Sequence, residues 1–239
     1  MLRKGLVAAV IVGCSAVFAS VALGANIICL AGSESCDGTG VDDTITGSIE
    51  GDNINAFGGN DDILPGPGGD VVKAGPGNDD IEEDIGADKV LGASGNDFVD
   101  ETDDVTAANV VNGGPGNDCI GGSEGGGDTI RGAGGNDRGG HDACGPGPFG
   151  LFGFEGNDRI LGGAGKDGIL GGSGADLLAG GKGKDFIDAK SDGGGQGSDT
   201  LRCGPGFDKY VANPNDVVAN SCEKKVPPPE APMVRAARW

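Results

Sequence analysis

The feature that most constrains this chain is a nine-residue period. From Gly38 to Asp100 the sequence divides into seven consecutive units of the form Gly-Gly-x-Gly-x-Asp-x-aliphatic-x. The sixth positions of these units are Asp43, Asp52, Asp61, Asp70, Asp79, Asp88 and Asp97. The eighth positions are Ile45, Ile54, Ile63, Val72, Ile81, Val90 and Val99. A disordered Gly/Asp linker has no reason to keep one phase over this length, so the period predicts a stacked repeat architecture.

The period continues, with interruptions, to about residue 211. After three inserted residues, a degenerate unit has Asn109 at the sixth position, and the next units carry Asp118, Asp128 and Asp137. The Asp137 unit has Gly139 where an aliphatic residue is expected, and residues 141–152 have no nonapeptide phase, which predicts a loop. Phase returns over 153–188, and two last units follow a five-residue insertion. The sixth positions of this part are Asp158, Asp167, Asp176, Asp185, Asp199 and Asp208.

Each unit combines a turn with a short strand. Glycine tolerates positive φ, so positions one to six can turn tightly, and positions seven to nine are long enough only for a short strand. Two units then form one coil of about eighteen residues, and successive coils stack their strands in parallel around a thin aliphatic core. The predicted fold is all-β, a parallel β-roll or β-helix solenoid. Acids of alternate units share an edge: Asp61, Asp79 and Asp97 on one, and Asp52, Asp70 and Asp88 on the other.

Composition indicates that a cation completes this fold. The chain has 52 Gly, only 4% aromatic residues and a formal net charge of −20, which argues against nucleic acid as a partner. Carboxylates one strand spacing apart, about 4.8 Å, repel one another unless a cation lies between them. Carboxylates and turn carbonyls are the hard oxygen ligands that calcium prefers. Zinc would need His or Cys ligands, and the only histidine, His141, lies in the unphased loop.

These residues resemble the hemolysin-type, or repeats-in-toxin (RTX), calcium-binding nonapeptides. The resemblance covers residues 38–211 and is specific because the motif recurs in phase. It implies a parallel β-roll in which an Asp of one unit and glycine-turn carbonyls of the unit two further along share each of several calcium ions. The ligands that it implies are Asp43, Asp52, Asp61, Asp70, Asp79, Asp88, Asp97, Asp118, Asp128, Asp158, Asp167, Asp176, Asp185 and Asp199.

The two ends predict export. Arg3 and Lys4 precede an apolar run from Leu6 to Leu23, so residues 1–25 are predicted to be a cleaved signal peptide. Lipidation at Cys14 and an uncleaved anchor are the alternatives. We expect an N-terminal cap over 26–37, repeat blocks over 38–140 and 153–211, a C-terminal cap over 212–222 and a disordered tail over 223–239. The expected location is extracellular or at the cell surface, without membrane insertion of the mature chain.

Six cysteines follow the apolar run, and they fall into neighbouring pairs. The pairs are Cys29 with Cys36, Cys119 with Cys144, and Cys203 with Cys222. An even number of cysteines in an exported chain predicts disulfides, although the sequence leaves 15 connectivities open. Metal or redox chemistry is disfavoured because no CxxC motif occurs.

The sequence offers no catalytic motif. HExxH and phosphate-binding GKS or GKT strings are absent, and GxGxxG strings are expected by chance at this glycine content. The predicted function is therefore calcium binding by a secreted, non-enzymatic repeat protein that folds on binding calcium and has a structural or interaction role. A scaffold for a secreted hydrolase or polysaccharide-modifying enzyme is the alternative. A cell-surface or extracellular polymer is a possible partner.

Overall fold

The chain is built from short strands joined by turns. The computed structural model describes residues 24–32, 35–82, 85–101, 107–138, 147–190 and 197–227. In these ranges no helix is long and apolar enough to span a membrane. The strands are β1 Asn26–Ile28, β2 Cys36–Asp37, β3 Thr44–Thr46, β4 Asn53–Asn55, β5 Asp62–Leu64, β6 Val71–Pro76, β7 Asp80–Glu82, β8 Lys89–Ser94, β9 Phe98–Asp100, β10 Val110–Pro115, β11 Cys119–Gly121, β12 Thr129–Gly134, β13 Leu151–Phe152, β14 Arg159–Gly165, β15 Gly168–Leu170, β16 Leu177–Gly183, β17 Phe186–Asp188, β18 Thr200–Arg202, β19 Lys209–Val211, β20 Val217–Val218 and β21 Lys224–Lys225.

The strands alternate between two parallel sheets. The odd-numbered strands form an eleven-stranded sheet in chain order, and the even-numbered strands form a ten-stranded sheet. Residues 18 apart face each other across neighbouring strands, as Ile45 faces Ile63 and Val72 faces Val90. One coil of two units therefore adds one strand to each sheet. The prediction of an all-β parallel β-roll is confirmed.

The core is one aliphatic side chain thick from each sheet. The eighth-position residues from Ile45 to Ile187 named by the period are buried with at most 1% of their surface exposed, and Leu201 is equally buried. Their neighbours at positions seven and nine point to the outer face of each sheet, as the period of a strand requires. Because the core is so thin, burial alone contributes little stability per residue.

The unit that begins at Gly132 obtains its core residue from within the predicted loop, at Leu151. Leu151 is fully buried and lies between Ile120 and Ile169 in the register of the eleven-stranded sheet. The prediction that Gly139 stands at this core position, and that 141–152 is all loop, is therefore wrong. The described residues on either side of the interruption belong to the same unit, because the N–H of Gly168 donates to the carbonyl of Asp137 and the N–H of Gly150 donates to the carbonyl of Gly168.

Both ends continue the solenoid, and at the C-terminal end this corrects the predicted start of the tail. Ile27 aligns with Ile45, and Cys36 aligns with Ile54, so residues 26–37 add a first coil. At the other end β20 and β21 pair with β18 and β19. The ordered strands therefore extend past residue 222, where the disordered tail was predicted to begin. The predicted signal segment up to residue 23 and the tail from residue 228 lie outside the described residues.

Disulfides close the terminal coils. Cys29 bonds to Cys36, and Cys203 bonds to Cys222. Cys119 is also disulfide-bonded, whereas its predicted partner Cys144 lies outside the described residues. Cys36 and Cys203 are themselves buried in the core cluster, so the two described bridges tie the ends of the chain to the stack.

The fourth-position glycines decide how closely the coils approach. Gly135 has φ near +135°, and a Cβ built on it would overlap the carbonyl oxygen of Gly116 in the preceding coil. The neighbouring third-position residue, Gly134, has open space around its Cβ direction. In this turn, backbone contact excludes a side chain from the fourth position, whereas the third position admits one and has Pro, Ser or Ala in other units.

This difference predicts opposite outcomes for two adjacent substitutions. Gly135→Ala should destabilise the fold by at least about 2 kcal/mol, because it combines a disfavoured φ with backbone overlap. Gly134→Ala should change the free energy of unfolding by less than about 1 kcal/mol. Thermal melts followed by circular dichroism in saturating calcium measure both. Equal melting temperatures for the two variants would contradict the packing argument.

Candidate metal centre

Two rows of carboxylates run along the edges of the solenoid, one in the turns before each sheet. The first ladder precedes the eleven-stranded sheet and contains Asp43, Asp61, Asp79, Asp97, Asp118, Asp137, Asp167, Asp185 and Asp208. The second ladder precedes the ten-stranded sheet and contains Asp52, Asp70, Asp88, Asn109, Asp128, Asp158, Asp176, Asp199 and Asp216. These side chains are almost entirely buried, except Asp216.

One oxygen of each carboxylate joins two coils. The backbone N–H of Asp61 donates to Oδ1 of Asp79 at 2.9 Å, and the N–H of Asp79 donates to Oδ1 of Asp97 at 3.0 Å. The same bond recurs along both ladders, even where insertions separate the partners by 30 residues. A hydrogen bond to a charged acceptor is stronger than one between neutral groups, so each rung helps to hold the stack together.

The second oxygen of most of these carboxylates is buried without a hydrogen-bond donor. This is the case for Oδ2 of Asp61, Asp70, Asp79, Asp97, Asp137, Asp158, Asp167, Asp176, Asp185 and Asp208. A buried, negatively charged oxygen without a partner is costly, and such atoms are rare in folded proteins. Their repetition at one structural position indicates a missing partner that is positively charged.

Where the first position is glycine, it leaves room for that partner. A Cβ built on Gly162 would lie 2.6 Å from Oδ2 of Asp167 and 2.6 Å from the carbonyl oxygen of Gly180 in the next coil. Gly180 stands in the same relation to Asp185 and the carbonyl of Cys203, at 2.5 and 2.8 Å. Carboxylate and carbonyl oxygens therefore converge on spaces that side chains do not fill.

The donor set suits calcium. Among the residues that the structure describes, no three His, Cys, Asp or Glu side chains cluster tightly enough to hold a metal by themselves. An ion at these edges would need backbone carbonyls as well as carboxylates. Calcium accepts six to eight such oxygens in flexible geometry, whereas zinc prefers nitrogen and sulfur. The residues present thus fit calcium.

Burial disturbs the acidity of the ladders. Desolvation raises the pKa of Asp79 to about 7, against the hydrogen bond from Asp61, and the neighbouring carboxylates of Asp97 and Asp61 raise it further. Desolvation likewise raises the pKa of Asp118 and of Asp158 to about 8. Without a cation, the folded chain therefore disfavours the ionised ladder at neutral pH.

All fourteen acids predicted as ligands lie in the two ladders. The predicted separation of Asp61, Asp79 and Asp97 from Asp52, Asp70 and Asp88 onto opposite edges is confirmed. Asn109 occupies the second ladder and makes the same backbone bond through its Oδ1. His141, which was assigned no role, lies outside the described residues.

Four acids that accept these backbone N–H groups are not among the predicted ligands: Asp137, Asp208, Asp216 and Glu223. Asp137 was omitted because its core partner Leu151 is fourteen residues away instead of two. Asp208 lies in the last recognisable unit, where Tyr210 stands at the eighth position. Asp216 and Glu223 accept the N–H groups of Asp199 and Asp208 from segments whose spacing no longer follows the period.

A row of exposed Asn side chains, the amide ladder, was not predicted from the sequence. Asn60, Asn78, Asn96, Asn117 and Asn136 stand at the fifth position along the first edge, and each N–H after Asn60 bonds to the Oδ1 of the preceding Asn at 2.7–2.8 Å. The signal was available in the sequence, because Asn recurs at this position in alternate units.

Fold and ladders together define a parallel β-solenoid whose acidic edges are suited to divalent cations. The family model of the RTX calcium-binding nonapeptide repeat matches in four copies, over residues 37–72, 64–99, 106–127 and 152–188. These copies cover just over half of the 239 residues, so the chain belongs to the RTX calcium-binding nonapeptide repeat family. Repeats of this family bind calcium and are generally structural instead of catalytic. Comparison with curated proteins gives no match.

The raised pKa values predict how the calcium-free chain responds to pH. Asp79, Asp118 and Asp158 have folded pKa values of about 7 to 8 against an ordinary 3.8, so between about pH 4 and 8 the folded chain binds more protons than the unfolded chain. The free energy of unfolding should therefore fall as pH rises through this window. Circular dichroism in EDTA should show more β structure at pH 5 than at pH 8.

Calcium should reverse this trend, because protons compete with the metal for the carboxylates. A calcium-free chain that is more stable at pH 8 than at pH 5 would show that the ladders do not control its stability.

Proposed function

We propose that this chain is an extracellular or cell-surface calcium-binding protein that folds when calcium binds and has a structural or interaction role. The observation that carries the proposal is the repeated carboxylate oxygen that is buried without a hydrogen-bond donor. A cation at each such position would remove both the desolvation penalty and the repulsion between neighbouring acids.

The proposed ligands are the ladder carboxylates and the carbonyls of the glycine turns. In addition to the fourteen predicted acids, they include Asp137 and Asp208, whose Oδ2 atoms are equally buried and equally without a donor. Bound calcium would supply positive charge and oxygen coordination between adjacent coils. The chain's own residues would do the rest, since each Oδ1 accepts an N–H from the preceding coil, and a first-position glycine such as Gly162 keeps the space open.

Coupling of folding to calcium follows from the weakness of the other contributions to stability. The core has one aliphatic residue per unit, and the net charge of −20 opposes a compact state. Metal binding to a site that exists only in the folded chain adds its binding free energy to folding. We expect the calcium-free chain at neutral pH to be largely disordered.

Export is supported by two independent features. The apolar segment after Arg3 and Lys4 has the character of a signal peptide. Two described disulfides suit an oxidising compartment, and RTX repeat proteins are typically secreted. Extracellular calcium modules have dissociation constants of about 10⁻⁴–10⁻³ M, so the chain would fold after leaving the cell.

Calcium titration tests the proposal directly. The mature chain should give a coil spectrum by circular dichroism in EDTA and a β spectrum in about millimolar calcium. Titration calorimetry on the same sample should show several ions bound per chain, and magnesium should not replace them. A spectrum that is identical in EDTA and in calcium would refute folding on calcium, and a flat calorimetric titration would refute calcium binding itself.

A matched pair of substitutions tests the ladder ligands. Asp79→Asn keeps the Oδ1 acceptor for Asp61, as Asn109 does naturally for Asp88, but it replaces the second carboxylate oxygen. We expect at least one fewer calcium ion per chain and a higher calcium concentration at the folding midpoint. Asp80→Asn removes the same charge from an exposed position on the outer face of β7 and should leave the number of bound ions unchanged. Equal losses in both variants would contradict the ligand assignment.

A further inference from the structure

A groove of about 670 Å³ lies at the C-terminal part of the first edge, where the turns meet the outer face of the eleven-stranded sheet. Four cationic side chains and two aromatic rings line it: Arg138, Lys166, Lys184, Lys209, Phe186 and Phe207. Its volume falls within the range of about 300–1,000 Å³ that is typical of small-molecule sites. Neither calcium binding nor the carboxylate ladders require these six side chains.

The residue type at the fifth position of the first edge changes at the groove. Along the first edge the fifth position is Asn in five successive coils, from Asn60 to Asn136, and these amides form the exposed ladder described above. Lys166 still donates its N–H to Asn136, but its own side chain has no acceptor to continue the row. Lys184 and Phe207 occupy the next two places. The amide ladder thus ends where the side chains of Lys166, Lys184 and Phe207 line the groove.

The cations of the groove are available to a ligand. Arg138, Lys166, Lys184 and Lys209 are exposed, and none of them forms an ion pair with another residue in the described ranges. Phe207 is 55% exposed, while Phe186 is held in place by stacking on Phe149 with ring centroids 5.2 Å apart. An open, unpaired set of positive charges is unusual on a chain whose net charge is −20.

We propose that this groove binds a small organic anion that carries a ring. The guanidinium and ammonium groups would pair with its carboxylate, sulfonate or phosphate groups, and Phe186 and Phe207 would contact the ring. The ligand is small because the groove's charges act within about 8 Å at physiological salt, whereas the rest of the acidic surface repels a long polyanion.

Calcium should strengthen this binding. Asp167 and Asp185 also line the groove, and they belong to the first ladder. If they hold calcium, as proposed above, their negative charge is neutralised and the groove becomes more positive. This step alone rests on the proposed function, and the binding of an anion at the four cations does not.

Fluorescence titration with naphthalene disulfonate, a ring-bearing dianion that does not chelate calcium, tests the groove in the full mature chain at saturating calcium. Lys166→Asn with Lys184→Asn places in both positions the residue that this row has elsewhere, so the turns are preserved. This double variant should weaken binding at least about tenfold. Lys182→Asn, a charge change in the same turn as Lys184 but outside the groove, should change the affinity less than about twofold.

Phe207→Asn should weaken the disulfonate but leave the weak binding of inorganic sulfate unchanged, because only the ring contact is lost. Unaltered disulfonate binding by the double lysine variant would overturn the site. Tighter binding of a long acidic polysaccharide than of the disulfonate would overturn the size of the ligand. Calorimetry with calcium on the same variants separates these outcomes. If calcium binds but the anion does not, only the groove is refuted. If the anion binds but calcium does not, only the calcium sites are refuted.

Discussion

The hydrogen bond from a backbone N–H to the carboxylate of the next coil is the interaction on which the rest of this structure depends. It uses one oxygen of each sixth-position Asp and places that Asp inside the turn, where the other oxygen is buried. The same bond therefore stacks the coils and buries a carboxylate oxygen without a hydrogen-bond donor in most of them. We propose that calcium resolves this problem, which agrees with the membership of the chain in a calcium-binding repeat family.

The stack tolerates interruptions because each coil has only a few strict requirements. It needs a sixth-position acceptor in line with the preceding coil, an aliphatic residue facing the core and a glycine where the backbones touch. The unit that contains Asp137 and Leu151 satisfies the first two requirements, although 30 residues separate Asp137 from Asp167. The segments that end in Asp216 and Glu223 likewise keep the acceptor while losing the nine-residue spacing. Strict periodicity is thus sufficient for a coil but not necessary.

The two edges of the solenoid are chemically different, although the repeat that builds them is the same. The first edge carries Asn at the fifth position and then changes to Lys166, Lys184 and Phe207, while the second edge has mainly small residues at that position. The stacking bonds at the sixth position are shared by both edges, so this difference is not required by the fold. It concentrates unpaired positive charge and aromatic surface at one end of one edge, which is where the proposed anion groove lies.

The sequence by itself determined the class of fold, the aliphatic core and the sorting of the acids onto two edges. It could do so because a unit of nine residues contains one turn and one strand, and stacking two units per coil repeats every contact at a spacing of 18. Only the tertiary structure decided which residues complete the irregular coils, since Leu151, Asp216 and Glu223 are recruited by position in space instead of by spacing in sequence. It also decided that residues 26–37 and 217–225 extend the sheets. The free N–H and C=O groups of the last strand in each sheet form hydrogen bonds with any neighbouring backbone segment, whatever its sequence.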